Sequence, residues 1–238
     1  MHALTAAVIV LETVLIVALA DFLAGIIHWA EDAYFTEDTP VIGALFIRPN
    51  IVHHHLPRYF TRLSWWQSSW DLVLLGGALL LAAWPLGLLG WPLGLFVAVS
   101  VNGNEVHKWS HRTRKENGRL ISTLQDWRIL QTPRHHGRHH SDPKNTHYCP
   151  ITNLVNPLLE HVSFWFRLES IIERLTGATH RPDTAVRGQG PGPLWLAPYR
   201  PAPKQSACIH GCASCPVRRA GGACSHAQPP AVPFLRAG

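Results

Sequence analysis

The sequence has little charge, and what charge it has is unevenly placed. Only 15% of the 238 residues are Asp, Glu, Lys or Arg, whereas 47% are hydrophobic. No charged side chain precedes Glu12, and none lies between Leu72 and Val101. A helix that is apolar all round has no polar face to turn towards water. The composition therefore favours a protein in contact with lipid over a soluble globular one.

Two signals found in many other sequences are also missing. The N-terminal residues show neither the basic region nor the small-residue cleavage site of a secretory signal peptide, so the first apolar run is expected to be retained. The chain has no Gly-rich nucleotide fingerprint.

The apolar residues form two long runs. The first extends from Ala3 to about Ala30, which exceeds the ~20 residues that cross a bilayer, and its crossing part is placed at residues 4–20. The second, residues 72–101, would measure ~45 Å as one helix, too long for a ~30 Å core, so it predicts two short spans with a turn near residues 87–91. The predicted fold class is mainly α: a helical integral membrane protein with about three spans. The alternative is a buried hairpin of a soluble protein, which the missing polar face disfavours.

The basic residues predict the orientation. Nine Lys or Arg but only three acidic residues lie between His107 and Lys144, whereas the N-terminal residues and the 84–92 turn have no charged side chain. By the positive-inside rule the basic side is cytoplasmic. One span followed by a hairpin places every histidine cluster on that same side. The basic charge there either contacts anionic headgroups or is an ordinary solvated face.

The composition changes near the C-terminus. Residues 158–175 have an amphipathic pattern that predicts a helix ending at Gly177, lying either in the membrane interface or against the rest of the domain. A helical membrane domain is predicted over 1–178 and a mostly disordered tail over 179–238, which holds ten of the 19 prolines. A truncation after Gly177 is accordingly expected to retain activity.

The same tail contains four of the five cysteines, Cys208, Cys212, Cys215 and Cys224. Their spacing suits either zinc or an iron–sulfur cluster, and the alternative is free thiols. No disulfide framework is expected of a cytoplasmic segment.

Eleven of the 16 histidines lie between His28, near the end of the first apolar run, and His147, and most of them are clustered. They are His28, His53, His54, His55, His107, His111, His135, His136, His139, His140 and His147. On a helix, His107 and His111 lie on one face, and so do His136 and His140, so each pair can bind one ion. A structural zinc needs four ligands and a catalytic zinc three, whereas this chain offers eight or more. The count therefore predicts two metal ions.

Imidazole suits iron, copper, zinc and nickel, so ligand type does not identify the ion. A pair of redox metals beside lipid favours dioxygen activation directed at an unreactive C–H bond, a reaction that zinc cannot perform because it has no redox chemistry. The substrate would then be a lipid chain.

Several motifs in order between residues 20 and 178 resemble those of the Kua family of lipid desaturases. They are AlaAspPheLeuAlaGlyIleIleHisTrp at 20–29, IleArgPro at 47–49, His53-His54, AsnGluValHisLysTrpSerHis at 104–111, LeuGlnAspTrp at 124–127, the 135–140 histidines, and Phe164-Trp165 with Leu168-Glu169. The resemblance implies an O2-dependent di-iron desaturase that acts on a phospholipid near its headgroup end, on a vinyl ether or an acyl bond. It also implies an external electron donor of the cytochrome or ferredoxin type, and no nucleic-acid partner is expected.

The resemblance implies a set of metal ligands. Carried over position by position, these are His28, His53, His54, His107, His111, His135, His136, His139 and His140. His147 is a tenth candidate, because Pro143-Lys144 stands where the family has a ProHis pair. His55 lies outside the paired motif and is assigned a supporting role. Candidate carboxylates that orient imidazoles are Asp21, Glu31, Asp32, Glu105 and Asp126.

Two alternatives remain open. An acyl-chain desaturase or a hydroxylase would use the same di-iron centre. A non-catalytic metal transporter or sensor would line a path with histidines, but transport predicts ionisable residues at mid-membrane, and residues 72–101 have none.

Overall fold

The computed structural model describes residues 2–141 and 144–181, which belong to the first of two units of the chain, residues 1–185. The described part is helical and contains no strand, which confirms the mainly α prediction. Its helices are α1 (His2–Ala33), α2 (Arg48–His55), α3 (Pro57–Phe60), α4 (Trp65–Ala83), α5 (Trp91–Val101), α6 (Gly103–His111), α7 (Arg114–Asp126), α8 (Pro133–His139), α9 (Val155–His161) and α10 (Phe164–Thr176), with a π-helical turn at Gly43–Ile47. The predictions for Cys208, Cys212, Cys215 and Cys224 lie outside the described residues.

Helix α1 has two halves with different surroundings. Its 32 residues measure ~48 Å, and Leu4–Ala33 is the only described helix that is long and apolar enough to cross a membrane. The N-terminal half is exposed, and a row of apolar side chains at four-residue intervals runs on from Leu11 to Ile27. The C-terminal half buries Asp21, Trp29 and Asp32 against the rest of the protein. One helix thus joins an apolar surface to the folded domain.

The second apolar run forms the predicted hairpin. Helix α4 begins at a capping box of Ser64 and Gln67 and ends at Ala83, and α5 begins at Trp91. Gly76 permits the close approach of the two helices, since a Cβ there would lie 2.9 Å from Val97 Cγ1. At 1.5 Å per residue α5 measures only ~16 Å, about half of a ~30 Å core. The three-span count therefore stays a prediction.

The single helix predicted over residues 158–175 is instead two helices, α9 and α10, because the chain turns at Ser163, whose φ of 49° is left-handed. Helix α10 ends before Gly177 as predicted. Trp165 is buried on the inner face of α10, with its ring 5.8 Å from that of Trp29 and 4.9 Å from that of Tyr148. On the outer face Phe166 is exposed. The helix thus packs on the C-terminal half of α1 and leaves a second apolar face uncovered.

The loop that follows α8 is bound tightly to α1. Asp21 accepts hydrogen bonds from Ile151 N (2.7 Å), Thr152 N (2.9 Å) and Thr152 Oγ1 (2.6 Å). One turn further along α1, Gly25 faces this loop so closely that a Cβ would lie 2.5 Å from Cys149 Sγ. Residues 148–152 are therefore fixed against the helix that carries His28.

The C-terminus of α1 is capped by a distant residue. Arg181 N donates to Ala33 O (2.9 Å), and its guanidinium donates to Glu31 O (3.1 Å) and Asp32 O (2.9 and 3.1 Å). These carbonyls lack intrahelical partners at a helix end, and a cation is favoured there by the helix dipole. The segment after α10 thus returns to the end of α1.

Candidate metal centre

Four helices place their histidines in one buried region. They are α1 with His28, α2 with His53 and His54, α6 with His107 and His111, and α8 with His136, His139 and the capping residue His140. Successive residues of a helix point ~100° apart, so the neighbours His53 and His54 reach different places. The result is two separate groups of ligand atoms.

The first group contains five imidazoles, from His53, His107, His111, His136 and His140, with one ligand atom of each within 4.8 Å of the others. His136 Nε2 lies 2.8 Å from His107 Nε2 and 2.9 Å from His140 Nε2. Both ring nitrogens of His53 and Nε2 of His111 are buried without a hydrogen-bond partner. Unpaired buried polar atoms are costly, and a bound cation would satisfy these.

The second group contains His28, His54, His139 and Asp32. His139 Nε2 lies 3.1 Å from His28 Nε2 and 3.3 Å from His54 Nε2. The Asp32 carboxylate lies 3.1 Å from His54 Nε2 and within 3.7 Å of the Nε2 atoms of His28 and His139. Asp32, expected to orient an imidazole from behind, is therefore placed among the candidate ligands.

Two backbone carbonyls orient imidazoles of the second group. His28 Nδ1 lies 3.1 Å from Tyr148 O, and His139 Nδ1 lies 2.9 Å from Thr146 O. A carbonyl only accepts, so each Nδ1 is assigned the proton, and in the neutral ring Nε2 then presents a lone pair. Two lone pairs 3.1 Å apart beside a carboxylate repel one another unless a cation lies between them. The donor set therefore fits a metal ion.

The spacing of the nitrogens supports the same conclusion. Two nitrogens bound at ~2.1 Å to one ion are about 3.0 Å apart at an octahedral angle and about 3.4 Å apart at a tetrahedral one. The closest Nε2 pairs are 2.8–2.9 Å apart in the first group and 3.1–3.3 Å apart in the second. In both groups the closest ring nitrogens are therefore about as far apart as two nitrogens bound to one ion.

The two groups adjoin one another. The ring centroids of His54 and His140, one from each group, are 4.9 Å apart, and those of His28 and His107 are 5.7 Å apart. Imidazoles from four helices therefore form one continuous cluster with two candidate ion positions.

The environment of the first group keeps its imidazoles neutral. Burial, followed by the neighbouring histidines, lowers the pKa of His53, His107 and His136 well below the usual value. The same two causes, with burial the larger, lower the pKa of His111 to about 3. Neutral imidazole is the form that binds metal.

A buried ion-pair network fixes the ligand helix α6. Lys108 is fully buried, and its Nζ donates to Glu105 Oε2 (2.7 Å) and to Leu63 O (3.0 Å) in the loop before α4. Glu105 also accepts from Arg112 Nη1 at 2.8 Å. Glu105 therefore supports α6 as a whole, because its carboxylate binds Lys108 and Arg112.

Two of the other candidate carboxylates have partners away from the imidazoles. Asp126 pairs with Arg114, and Asp21 holds the 151–152 loop. Glu31 contributes its backbone carbonyl to the Arg181 cap.

His135 and His147 are not brought to either group. Their rings lie 4.9 Å from one another, His135 Nε2 lies 3.3 Å from Asn156 Nδ2, and His147 Nε2 lies 3.3 Å from Arg138 Nη1. His55 also lies outside both groups. The structure thus gathers eight of the ten histidines predicted as ligands and adds Asp32. The tautomer-fixing carbonyls of Thr146 and Tyr148 have no signature in the sequence, whereas the four-residue spacing of His28 and Asp32 was a readable signal.

Fold and site together define a class: a helical protein with one long apolar helix and two adjoining groups of ligands suited to metal. The model of the lipid desaturase domain family matches residues 17–183. The chain is 36% identical over 176 residues to a probable fatty acid desaturase of Acanthamoeba polyphaga mimivirus, covering 72% of this chain and 86% of that protein. No solved structure matches.

Two further relatives carry a more specific name. Mouse plasmanylethanolamine desaturase 1 is 35% identical over 179 residues, 69% of this chain and 65% of its own length. The plasmanylethanolamine desaturase of Myxococcus xanthus is 31% identical over 171 residues, 69% of this chain and 60% of its own length. The chain thus spans less than two thirds of either protein.

This chain belongs to the lipid desaturase domain family. The resemblance stated from the motifs is confirmed, and so is the prediction of an oxidoreductase of the lipid desaturase type.

Proposed function

We propose that this chain is an O2-dependent di-iron desaturase that forms the vinyl ether bond of plasmalogens in the alkyl chain of an ether phospholipid. The observation that carries the proposal is the pair of adjoining ligand groups, five imidazoles in one and three imidazoles with Asp32 in the other. Two irons, when bound there, supply redox chemistry that zinc lacks. The reaction converts one CH2–CH2 unit, O2, two electrons and two protons into CH=CH and two water molecules.

The protein's own residues have three tasks in this proposal. The eight imidazoles and Asp32 hold the ions, the carbonyls of Thr146 and Tyr148 orient two of the rings, and the Lys108–Glu105–Arg112 network fixes α6. Burial excludes water from the ring nitrogens. Support of this kind around metal ligands is commonly worth a factor of about 10 to 100 in affinity or activity.

The depth of the site supports a bond near the headgroup. Exposed apolar side chains of α1 extend from Leu4 to Ile27, a rise of ~35 Å that exceeds the ~30 Å core. His28 is the next residue, so a membrane that covers this surface ends at the level of the second ligand group. A site at that level reaches the first few carbons of a lipid chain and suits a mid-chain bond poorly.

The proposal includes topology and partners. The α4–α5 hairpin inserts beside α1, and the basic segment 107–144 and the ligand groups face the cytoplasm. The membrane desaturase domain, placed at residues 1–178 from the sequence, is extended to Arg181, which caps α1, and the residues after it are an appended tail. A separate electron donor of the cytochrome or ferredoxin type provides the two electrons.

An acyl desaturase on the same centre is the second candidate. It is favoured by a relative named fatty acid desaturase 4, chloroplastic, of Arabidopsis thaliana, which is 31% identical over 159 residues, 64% of this chain and 48% of its own length.

The test expresses the chain in cells fed an alkylglycerol and measures the fatty aldehyde released by acid, with His136→Ala as the inactive control. Release of aldehyde above the control is the expected result. A new double bond near an acyl carboxyl without aldehyde would assign the acyl reaction, and a hydroxylated chain would assign hydroxylation. Metal analysis of purified active protein should give about two irons per chain, and stoichiometric zinc without iron would refute the redox mechanism.

A further inference from the structure

Helix α7 and the turn after it present a basic surface next to the ligand helix α6. We propose that this surface, formed by Lys115, Arg119, Arg128 and Trp127, docks the acidic face of a one-electron carrier protein. The inference rests on the proposed function, because a desaturase with two irons consumes two electrons per turnover and this sequence has no nucleotide fingerprint of its own. The carrier is oxidised by one electron in each of two encounters.

The charge of this surface is available to a partner. The two carboxylates of the segment are already engaged, Glu116 by Arg58 (2.7 Å) and Asp126 by Arg114. Lys115, Arg119 and Arg128 are exposed and have no carboxylate partner among residues 2–141 and 144–181. An open depression lies at Gly118, where α7 is kinked, and it is lined by Arg114, Lys115, Arg119, Ser122 and Thr123. The exposed side of this segment is therefore positively charged.

Two large apolar side chains of the same segment are exposed. Trp127 is 69% exposed and Leu120 is 72% exposed, and a separation of seven residues places them on one side of the helix. Protein interfaces are enriched in Trp and Arg, with a charged rim around a less polar centre. Trp127 belongs to the LeuGlnAspTrp motif. Gln125 and Asp126 of that motif bond to other parts of the protein, whereas the Trp127 side chain is exposed and can contact a partner.

The surface is held rigidly to the metal centre. Asn117 Nδ2 and Gln125 Nε2 both donate to Trp109 O, at 2.8 and 3.2 Å, two residues before His111. Arg58 joins Glu116 to the carbonyl of His111 (2.9 Å). Arg114 follows His111 by three residues, so their Cα atoms are at most about 11 Å apart. A carrier seated here is close to a ligand of the five-histidine group.

Charge attraction suits a transient electron carrier. Small, weak interfaces are typical of redox encounters, and opposite charge raises their association rate. A phospholipid headgroup is the competing occupant of a basic surface, and the experiment separates the two.

The test uses the full chain with iron in nanodiscs and two reductants, a reduced plant-type ferredoxin as the acidic protein probe and dithionite as the small one. The variant Arg119→Glu with Arg128→Glu is compared with Arg167→Glu and Arg174→Glu, which change two exposed arginines of α10 by the same charge. We expect ferredoxin-driven turnover of the α7 variant to fall about tenfold or more at low salt, with a flatter salt dependence. Trp127→Ala should also slow it, while dithionite-driven turnover and the α10 variant stay at the wild-type rate.

Three results would overturn the inference. Equal ferredoxin-driven rates in wild type and the α7 variant would remove the docking role. A loss of dithionite-driven turnover in the α7 variant that depends on anionic lipid in the nanodisc would assign the surface to headgroups. Failure of wild type to turn over with either reductant would refute the desaturase function itself, and the docking surface with it.

Discussion

Removing the Arg181 guanidinium should weaken metal binding by the second ligand group, although residue 181 is distant from most of that group in sequence. The side chain donates to the carbonyls of Glu31 and Asp32, and Asp32 is itself a candidate ligand. Without the cap, those carbonyls must find water, and the last turn of α1 can fray. The expectation that a truncation after Gly177 retains activity changes accordingly, because that truncation removes Arg181.

The size of the effect follows from the contacts. Charged hydrogen bonds contribute about 1.5–3 kcal/mol, and a cation at a partly buried helix C-terminus up to about 2 kcal/mol. These contributions overlap, so Arg181→Ala should destabilise the end of α1 by about 2 kcal/mol, or roughly 30-fold in the local equilibrium. Truncation after Gly177 also removes the backbone bond to Ala33 O and the 2.8 Å contact of His180 with Glu169, for a total of about 3–4 kcal/mol.

The assay measures iron per chain and aldehyde-forming turnover of purified protein. Arg181→Ala and the truncation after Gly177 should lose iron, falling from about two towards one per chain, and lose turnover in proportion. Arg174→Ala on the exposed side of α10 is the matched control, and a truncation after Arg181 should behave as wild type. Normal iron and turnover in the Gly177 truncation would refute the capping argument, whereas loss of activity in both truncations would give the tail a role of its own.

Three other comparisons of variants test the site and its supports. His107→Ala or His111→Ala should lower turnover more than about 100-fold while α1 stays membrane-inserted, and His161→Ala, at an exposed histidine, is the control. If either variant retained much of the activity, α6 would not belong to the metal site. Asp32→Asn should lower the iron content of the purified protein. Asp21→Asn should instead lower the free energy of unfolding by about 2 kcal/mol at normal iron content, because Asp21 bonds the 151–152 loop and no imidazole. Equal iron loss in both variants would contradict the role of Asp32 as a ligand. Gly25→Ala places a Cβ 2.5 Å from Cys149 Sγ and should destabilise the fold by about 1–3 kcal/mol. Gly77→Ala, whose new Cβ has no atom within 4 Å, should be neutral or stabilising. Equal melting temperatures of the two variants would disprove the close packing of Gly25 on Cys149.

Local patterns in the amino-acid sequence predicted much of the fold. The uncharged apolar runs predicted helices, which the structure has at α1, α4 and α5, and residues 84–91 divide the second run into the observed hairpin. Gly177 ends α10 with a positive φ of 74°, which a residue without Cβ adopts freely. These features depend on neighbours in sequence, so sequence suffices to predict them.

The sequence by itself also determined which histidines can act together on one helix, because a four-residue spacing places His107 and His111 on one face whatever surrounds them. Only the tertiary structure decided how histidines from different helices are shared. It sends His53 to one group and His54 to the other, adds Asp32 to the second, and leaves His135 and His147 beside one another outside both. The path of the 146–148 backbone, which presents two carbonyls to His28 and His139, likewise follows from the packing of that loop on Asp21 and Gly25. Ligand grouping depends on the relative placement of four helices, and no spacing within a single helix encodes that placement.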